Sequence, residues 1–277
     1  MIGPHAMLSS PGTAVPLQDG WCLEPKWDGW RCLVTERHGR AAAYSRHGTA
    51  ITTWLPADMR SALADVAAGG TVVDGELVKL TAAAAGPVAD FAGLCRCLDS
   101  RHGDAAGLHL VVFDLLEHHG ADVRQLPWRE RRARLRKHLL QRATPDGIVS
   151  LISELPVSQA AHDHAVSLGL EGTIAKRASS AYRAGRSRSW LKLKARHEHP
   201  GVVLELVDHD RGPRALIALD AGGQSWATAR KHVTPGQHVT VICSRRDADG
   251  SLREARIAPA GRKSEPAGAA PSRQARV

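Results

Sequence analysis

Apolar positions along this chain change period several times, and each change predicts an element. Stretches 31–35, 71–80 and 108–116 are nearly continuous runs of Val, Leu and other apolar residues, and each predicts a strand. Between the first two, Pro56 opens a segment in which Met59, Leu63 and Val66 recur at helical spacing, and Gly69-Gly70 closes it. Pro127 opens a second helix running to about Arg142, with Trp128, Leu135 and Leu139 as its apolar side. A third helix is expected from Ser158 to Leu168, stopped by Gly169. Two further strands are expected at 170–176 and 189–194. The second reads Trp190-Leu191-Lys192-Leu193-Lys194, a strict alternation that puts Leu191 and Leu193 on one face and Lys192 and Lys194 on the other.

The rhythm shifts at His197-Glu198-His199-Pro200, which is expected to mark a boundary. Five short β runs follow, at 202–207, 215–219, 225–229, 238–243 and 252–257, separated by Gly, Asp and Pro turns. Such spacing suits a small antiparallel barrel of the OB type, with a small sandwich as the alternative. The expected division is residues 1–197, residues 198–262, and an Ala/Pro/Ser/Arg-rich disordered tail over 263–277. Residues 1–20 are rich in Pro, Gly and Ser and are expected to lie extended on the surface. No basic n-region with an apolar run opens the chain, and no apolar stretch approaches the ~20 residues a membrane span needs. A cytoplasmic monomer is therefore expected.

Charge changes the picture next. The formal net charge is +9, which favours a polyanionic partner, nucleic acid above all, or reflects a chain that is merely basic. The second helix carries Arg129, Arg131, Arg132, Arg134, Arg136, Lys137 and Arg142 against one acid, Glu130, so it suits a phosphate backbone or a solvated face equally. The 5 cysteines include no C-x-x-C pair, which indicates reduced thiols. The 15 histidines show no ligand spacing, and scattered surface positions are expected for them, His118-His119 included.

Candidate chemistry begins at Lys26-Trp27-Asp28-Gly29-Trp30-Arg31. A free lysine has a pKa of ~10.4, so a nucleophilic lysine needs cations or burial nearby. Asp28 shares the face of Lys26 in an extended segment, where it can orient the ammonium or carry a metal-bound water. Gly29 permits a tight backbone turn against a ligand, and Arg31 offers a planar fork for a hydroxyl or phosphate. Tyr44-Ser45-Arg46-His47-Gly48 sets Arg46 in a turn, either a phosphate contact or a plain hairpin. Val72-Val73-Asp74-Gly75-Glu76 ends an apolar strand with two carboxylates that need partners. Val112-Phe113-Asp114 puts an aromatic ring beside a buried acid, for stacking on a purine or for plain packing. In Glu171-Gly172-Thr173-Ile174-Ala175-Lys176, the carboxylate precedes a glycine where backbone can approach a ligand, and it suits a divalent cation. Lys192 and Lys194, side by side, repel unless an anion lies between them; a guarded edge strand is the other reading.

Taken in order, KWDGWR, SRHG, DGELV, VFDLL, EGTIAKR and WLKLK resemble the six nucleotidyltransferase motifs of ATP-dependent DNA ligases, a superfamily that includes RNA ligases and mRNA capping enzymes. The resemblance covers about residues 6–200, and the barrel beyond matches the family's OB domain. It implies an α+β fold: a nucleotidyltransferase domain of antiparallel sheets with flanking helices, then a β-barrel OB-fold domain. It also implies roles. Lys26 would form a covalent lysyl–AMP; Arg31 and Glu76 would hold the ribose; Phe113 would stack on adenine; Glu24 would join them in binding the nucleotide. Arg46 would contact the AMP phosphate or DNA, Lys192 and Lys194 would neutralise the α-phosphate, and Glu171 with Asp28 would bind Mg²⁺ or Mn²⁺. Arg46, Arg131, Arg132, Arg186 and Arg188 are the DNA-binding candidates.

The implied partners are ATP and nicked or broken DNA, with an end-bridging protein. Because 25 residues precede Lys26, ATP rather than NAD is expected, and the size resembles small bacterial ligases of end joining and repair. One departure stands out. The family's sixth motif, R-x-D-K-like, has only Arg253 or Arg256 as substitutes. The rivals are therefore an RNA ligase or other covalent nucleotidyltransferase, and a catalytically impaired relative that binds DNA ends.

Overall fold

The computed structural model describes residues 6–37, 39–82, 86–99, 106–142, 147–210, 212–229, 232–246 and 250–259. The chain divides into two compact units, Met1–Ala195 and Arg196–Val277. The tail expected over 263–277 lies outside the described residues.

The first unit contains β1 (Met7–Pro11), β2 (Trp21–Lys26), β3 (Trp30–Arg37), β4 (Arg40–Ser45), α1 (Ala57–Ala67), β5 (Val72–Thr81) and β6 (Val88–Ala89). It continues with α2 (Phe91–Asp99), β7 (Leu108–His118), β8 (Ala121–Asp122), α3 (Trp128–Leu140), β9 (Val149–Leu151), α4 (Gln159–Ser167), β10 (Gly172–Arg177) and β11 (Gly185–Lys194). They form two sheets. One runs β1-β11-β10-β2; the other runs β4-β3-β5-β7-β8, with β6 on β5 and β9 on β7. Helices cover one face of the larger sheet, where Met59, Leu63 and Val66 of α1 and Leu94 of α2 pack on Val34, Val73 and Val112. A second core draws Met7, Tyr182 and Trp190 together with Leu33, Val111 and Phe113, residues of both sheets. The mixed helix-and-sheet architecture expected from the motif series is thus present.

Local signals account for the helices. Pro56 precedes α1 with extended backbone, and Gly69 follows at φ +75°, a left-handed turn suited to glycine. Ser158 caps α4 by accepting from the Ala161 N–H at 3.1 Å. The helix over Phe91–Asp99 is not among the elements expected from the sequence, although Asp90 caps it by accepting from the Gly93 N–H at 2.8 Å.

The structure corrects several expectations. The N-terminal segment is on the surface only in part: β1 pairs in parallel with β11, and Ala6 and Met7 are buried, while residues 11–20, Val15 apart, are exposed or half-buried. Its Met7 plugs the core, and its edge position explains why Pro11 is tolerated. On α3, Arg131 and Arg132 are not at a solvent face. Arg131 is fully buried and donates to both oxygens of Asp114 at 2.7 and 2.8 Å and to the carbonyls of Leu126 and Ser180. Arg132 is buried as well, donating to Glu154 at 3.2 Å and to the Ile152 carbonyl. Arg131 spends its donors on Asp114 and two carbonyls, and both guanidiniums are buried away from solvent, so neither residue presents a surface cation to DNA. His138 and His162 are likewise buried rather than scattered on the surface.

The second unit holds β12 (His197–Val207), β13 (Arg214–Leu219), β14 (Gln224–Thr228), β15 (His238–Cys243), β16 (Arg245–Arg246), β17 (Leu252–Arg253) and β18 (Arg256–Ile257). A closed barrel runs β12-β13-β14-β18-β15, around Val203, Ile217, Ala227, Val241 and Ile257. Closure removes the open edges that a sandwich would leave. The units divide at Ala195/Arg196, and His197–Pro200 just beyond open β12, paired with β15 from His197↔Cys243 onward.

Among the described residues, no helix is long and apolar enough to cross a membrane.

Candidate active site

Strand register builds the centre of the site. Gly172, at the start of β10, pairs with Lys26 of β2 on one side and Lys194 of β11 on the other. Two lysines from distant parts of the chain thus flank one glycine. A Cβ on Gly172 would lie 2.0 Å from the Leu193 carbonyl oxygen, at φ +139°, so only glycine lets the three strands meet this closely. Glu171, immediately before it, puts its carboxylate between the lysines: Oε2 pairs with Lys26 Nζ, and Oε1 with Lys194 Nζ at 2.9 Å. Burial alone would raise the Glu171 carboxyl, but Lys26 and then Lys194 hold it below the usual carboxylate range. The anion that the lysine pair of β11 seemed to require is, for Lys194, this carboxylate.

The larger sheet supplies the second group. Arg31 of β3 lies opposite Glu76 of β5. Its guanidinium pairs with Asp74 and donates to the Met7 carbonyl at 3.1 Å. The Tyr182 hydroxyl donates to Asp74 at 2.6 Å and accepts from the Met7 N–H at 2.9 Å. Burial would lower the Arg31 pKa, yet the Asp74 charge and hydrogen bonds raise it above its ordinary value. Asp74 therefore fixes Arg31. Sequence reasoning treated Asp74 only as an acid needing a partner; its isolation in an otherwise apolar strand was the usable signal.

Glu76 is half-buried, and burial pushes its carboxyl up to about 7, only partly countered by Arg31 and Lys26. The folded state therefore holds this proton more tightly than the unfolded chain. Ionising Glu76 costs stability that sets in as pH rises above the ordinary 4.5 and is complete above about 7. Glu76→Gln is expected to stabilise the protein relative to wild type at pH 8 and to leave it nearly unchanged at pH 4.5. Urea unfolding at the two pH values checks this; an equal effect at both would show that Glu76 does not titrate between them.

Phe113 sits at a register break: Asp74 pairs with Asp114 and Gly75 with Val112, so Phe113 is the extra residue of a β-bulge. Bulges re-aim a side chain. Here the ring lies in a buried cluster, edge-on to Trp190 at 6.1 Å, with the Arg31 guanidinium 4.5 Å from its centroid. Lys176, further along β10, is buried, with Nζ 4.5 Å from the Phe113 centroid and 4.2 Å from that of Trp190. Its partner is Glu24, at 2.7 Å. Burial pushes Lys176 down and Glu24 up. Glu24 Oε1 is buried with no hydrogen-bond partner, as is Trp190 Nε1. A buried carboxylate oxygen left over beside an aromatic ring fits an amino-bearing base, which would donate to the oxygen and stack on the ring.

The other expected residues are less concentrated. Asp28 is half-buried in the turn between β2 and β3. Gly29 does not serve a ligand: a Cβ there would meet the Leu77 carbonyl oxygen at 2.3 Å, so this glycine allows β5 to approach. Lys192 is half-buried on β11, opposite Ile174. Arg46 is exposed in a hairpin turn closed by Gly48 N–H to the Ser45 carbonyl. Arg186 and Arg188 are exposed on β11. Arg253 and Arg256 are exposed on β17 and β18 of the second unit.

The family described as ATP dependent DNA ligase domain matches residues 7–194. The chain is 34% identical over 208 residues to the multifunctional non-homologous end joining protein LigD of Pseudomonas aeruginosa, covering 75% of this chain and 24% of that protein. It is 26% identical over 215 residues to a probable DNA ligase of Dictyoglomus turgidum, covering 72% and 36%. This chain thus spans about a quarter and about a third of the length of these relatives. Among solved structures, the ligase domain of LigD from M. tuberculosis superposes with a TM-score of 0.61 at 25% identity, covering 91% of this chain and 93% of that one.

Proposed function

Because this chain belongs to the ATP-dependent DNA ligase family, we propose that it seals 5′-phosphate/3′-hydroxyl breaks in DNA through a lysyl–AMP intermediate, in end joining or repair. The observation that carries the proposal is the convergence of Lys26, Glu171 and Lys194 around Gly172.

An ammonium has no lone pair, so Lys26 must first shed a proton, and Glu171 Oε2 is the acceptor already in contact with it. Nζ then attacks the α-phosphorus of ATP. A P–N bond forms, the bond to the bridging oxygen breaks, and pyrophosphate leaves. The 5′-phosphate of the break next attacks the same phosphorus, and the P–N bond returns its electron pair to Lys26. The 3′-hydroxyl finally loses its proton, attacks the 5′-phosphorus and displaces AMP. Each step is an in-line phosphoryl transfer governed by position and charge. Lys194 and Lys192 supply positive charge for the phosphate. Arg31, held by Asp74, and Glu76 serve the ribose. Phe113 and the leftover oxygen of Glu24 serve the base. Mg²⁺ or Mn²⁺, when bound, would offset phosphate charge, and the carboxylates of Glu171 and Asp28 are the oxygen donors such hard cations take.

Arg46, Arg186 and Arg188 are the exposed cations proposed to touch DNA phosphates, with an end-bridging protein completing the assembly on broken ends. Arg256 is proposed to serve in place of the missing sixth motif.

The test is sealing of a nicked 5′-phosphorylated duplex with ATP and either metal, beside a nicked RNA duplex, GTP, and a pre-adenylated nick. Sealing of DNA with ATP is expected. Sealing confined to RNA would transfer the reading to an RNA ligase, and binding without sealing of either nick would leave an end-binding relative. In the same system, Arg186→Ala/Arg188→Ala is expected to lower the slope of log affinity against log salt by about 1.8. An unchanged slope would remove these two arginines from the DNA contact.

A further inference from the structure

We propose that His118, His119 and His138 form a binding site for one transition-metal ion of the zinc class, separate from the carboxylate site at Glu171. One ring nitrogen of each histidine lies within 4.8 Å of those of the other two. Ligands at about 2.05 Å on a tetrahedral ion are about 3.3 Å apart, so the rings need close by only about 1.5 Å to hold one.

The arrangement is not what a strand end gives by default. Consecutive strand residues point to opposite faces. His118 ends β7, but His119 adopts a left-handed backbone at φ 52°, uncommon for a residue other than glycine. That turn brings its ring to 4.2 Å from the ring of His118. His138, in the last turn of α3, meets His118 edge-on at 5.4 Å. Gly120 N–H donates to the Gly70 carbonyl at 2.9 Å, which pins this turn to the end of α1. The histidines therefore stand where α1, α3 and the β7–β8 hairpin meet.

The hydrogen bonding suits a ligand set. His138 Nε2 contacts the Val66 carbonyl at 2.7 Å. An N–H donated to a backbone carbonyl fixes the tautomer and leaves the other nitrogen with a lone pair, the usual second-shell contact of a metal-binding histidine. Among the described residues, no hydrogen bond occupies the rings of His118 or His119. Imidazoles without carboxylates select borderline ions such as Zn²⁺ over Mg²⁺. His119 is exposed, which leaves the fourth position open to water. Such an ion would tie α3, and with it Arg131 and Arg132, to the larger sheet.

His119→Asn is the informative variant, since asparagine tolerates the left-handed backbone and ligates poorly. Wild type and variant, each free of metal, are titrated with Zn²⁺ by calorimetry, and their melting is followed with and without it. One equivalent bound by wild type, at least tenfold weaker binding in His119→Asn, equal melting of the metal-free proteins, and a Zn²⁺-dependent rise in Tm confined to wild type are expected. A repeat with His118→Gln should give the same loss. No stoichiometric uptake by wild type, or equal uptake and equal melting shifts in wild type and His119→Asn, would overturn the site and leave a cluster of packed rings.

Discussion

Lys26→Ala, incubated with ATP and Mg²⁺ or Mn²⁺, should keep the mass of the unmodified chain, while wild type gains one AMP. The wild-type adduct should be lost in acid, as a phosphoramidate is. A nucleophile that forms the covalent bond has no substitute, so the expected loss of adenylation is at least on the order of 10³-fold, more than ~4 kcal/mol of barrier. Two controls separate nucleophile from charge. Lys26→Arg keeps the cation beside Glu171 but cannot lose its proton at neutral pH, and should be equally inactive. Lys194→Ala removes the cation on the other Glu171 oxygen and should slow adenylation without abolishing it. Lys26 and Lys194 flank the same glycine and share one carboxylate, so the pair must be tested together. An adduct that survived in Lys26→Ala and vanished in Lys194→Ala would move the nucleophile to the next strand but one.

Arg131→Met should destabilise the fold by about 3–5 kcal/mol, because it strands a fully buried carboxylate. Asp114 takes two hydrogen bonds from Arg131 and lies opposite Asp74 in the sheet, so an uncompensated charge there also faces a second carboxylate. The carbonyls of Leu126 and Ser180 lose a donor as well. Pairing Arg131→Met with Asp114→Leu should recover much of the loss, since replacing both members of a buried pair with apolar residues is often close to neutral. Urea unfolding of the two singles and the double measures the coupling. The alternative, that Arg131 lies on a DNA-facing surface, predicts stability within about 1 kcal/mol of wild type and weaker DNA binding. That outcome would reverse the correction made to α3.

This second case shows how much of the site was legible. The helix itself was predicted, since Pro127, Trp128 and Leu135 announce its start and apolar stripe. Which of its arginines were buried was not, because a run of basic residues has no periodicity that distinguishes a paired guanidinium from a solvated one. Asp114 is 17 positions away, and nothing local links the two. Phe113 stands out in the sequence as an aromatic ring beside an acid, but the bulge that isolates it depends on how β5 and β7 come into register. Lys26, the proposed nucleophile, was legible because Asp-Gly and Arg follow it closely. Its partner Glu171 is 145 positions on. His118 and His119 read as surface residues in the sequence because His138, which completes the cluster, follows only after β8 and most of α3.

By itself, the sequence determined the alternating strand of Lys192 and Lys194, the caps and stops of α1 and α4, the order of the motifs, and the barrel strands except the last, since the run expected at 252–257 is broken at Glu254 into β17, which pairs with β16, and β18, which closes the barrel. These depend on side-chain period and on backbone restrictions at Pro, Gly and Ser, which act over a few residues. Only the tertiary structure decided that Lys26 and Lys194 flank Gly172, that Arg31 is held by an aspartate to which a tyrosine also donates, that Gly29 serves β5, and that Met7 belongs to the core. Charge compensation and close backbone approach are settled between segments far apart in the chain. Local patterns report that a partner is needed, and packing decides which one supplies it.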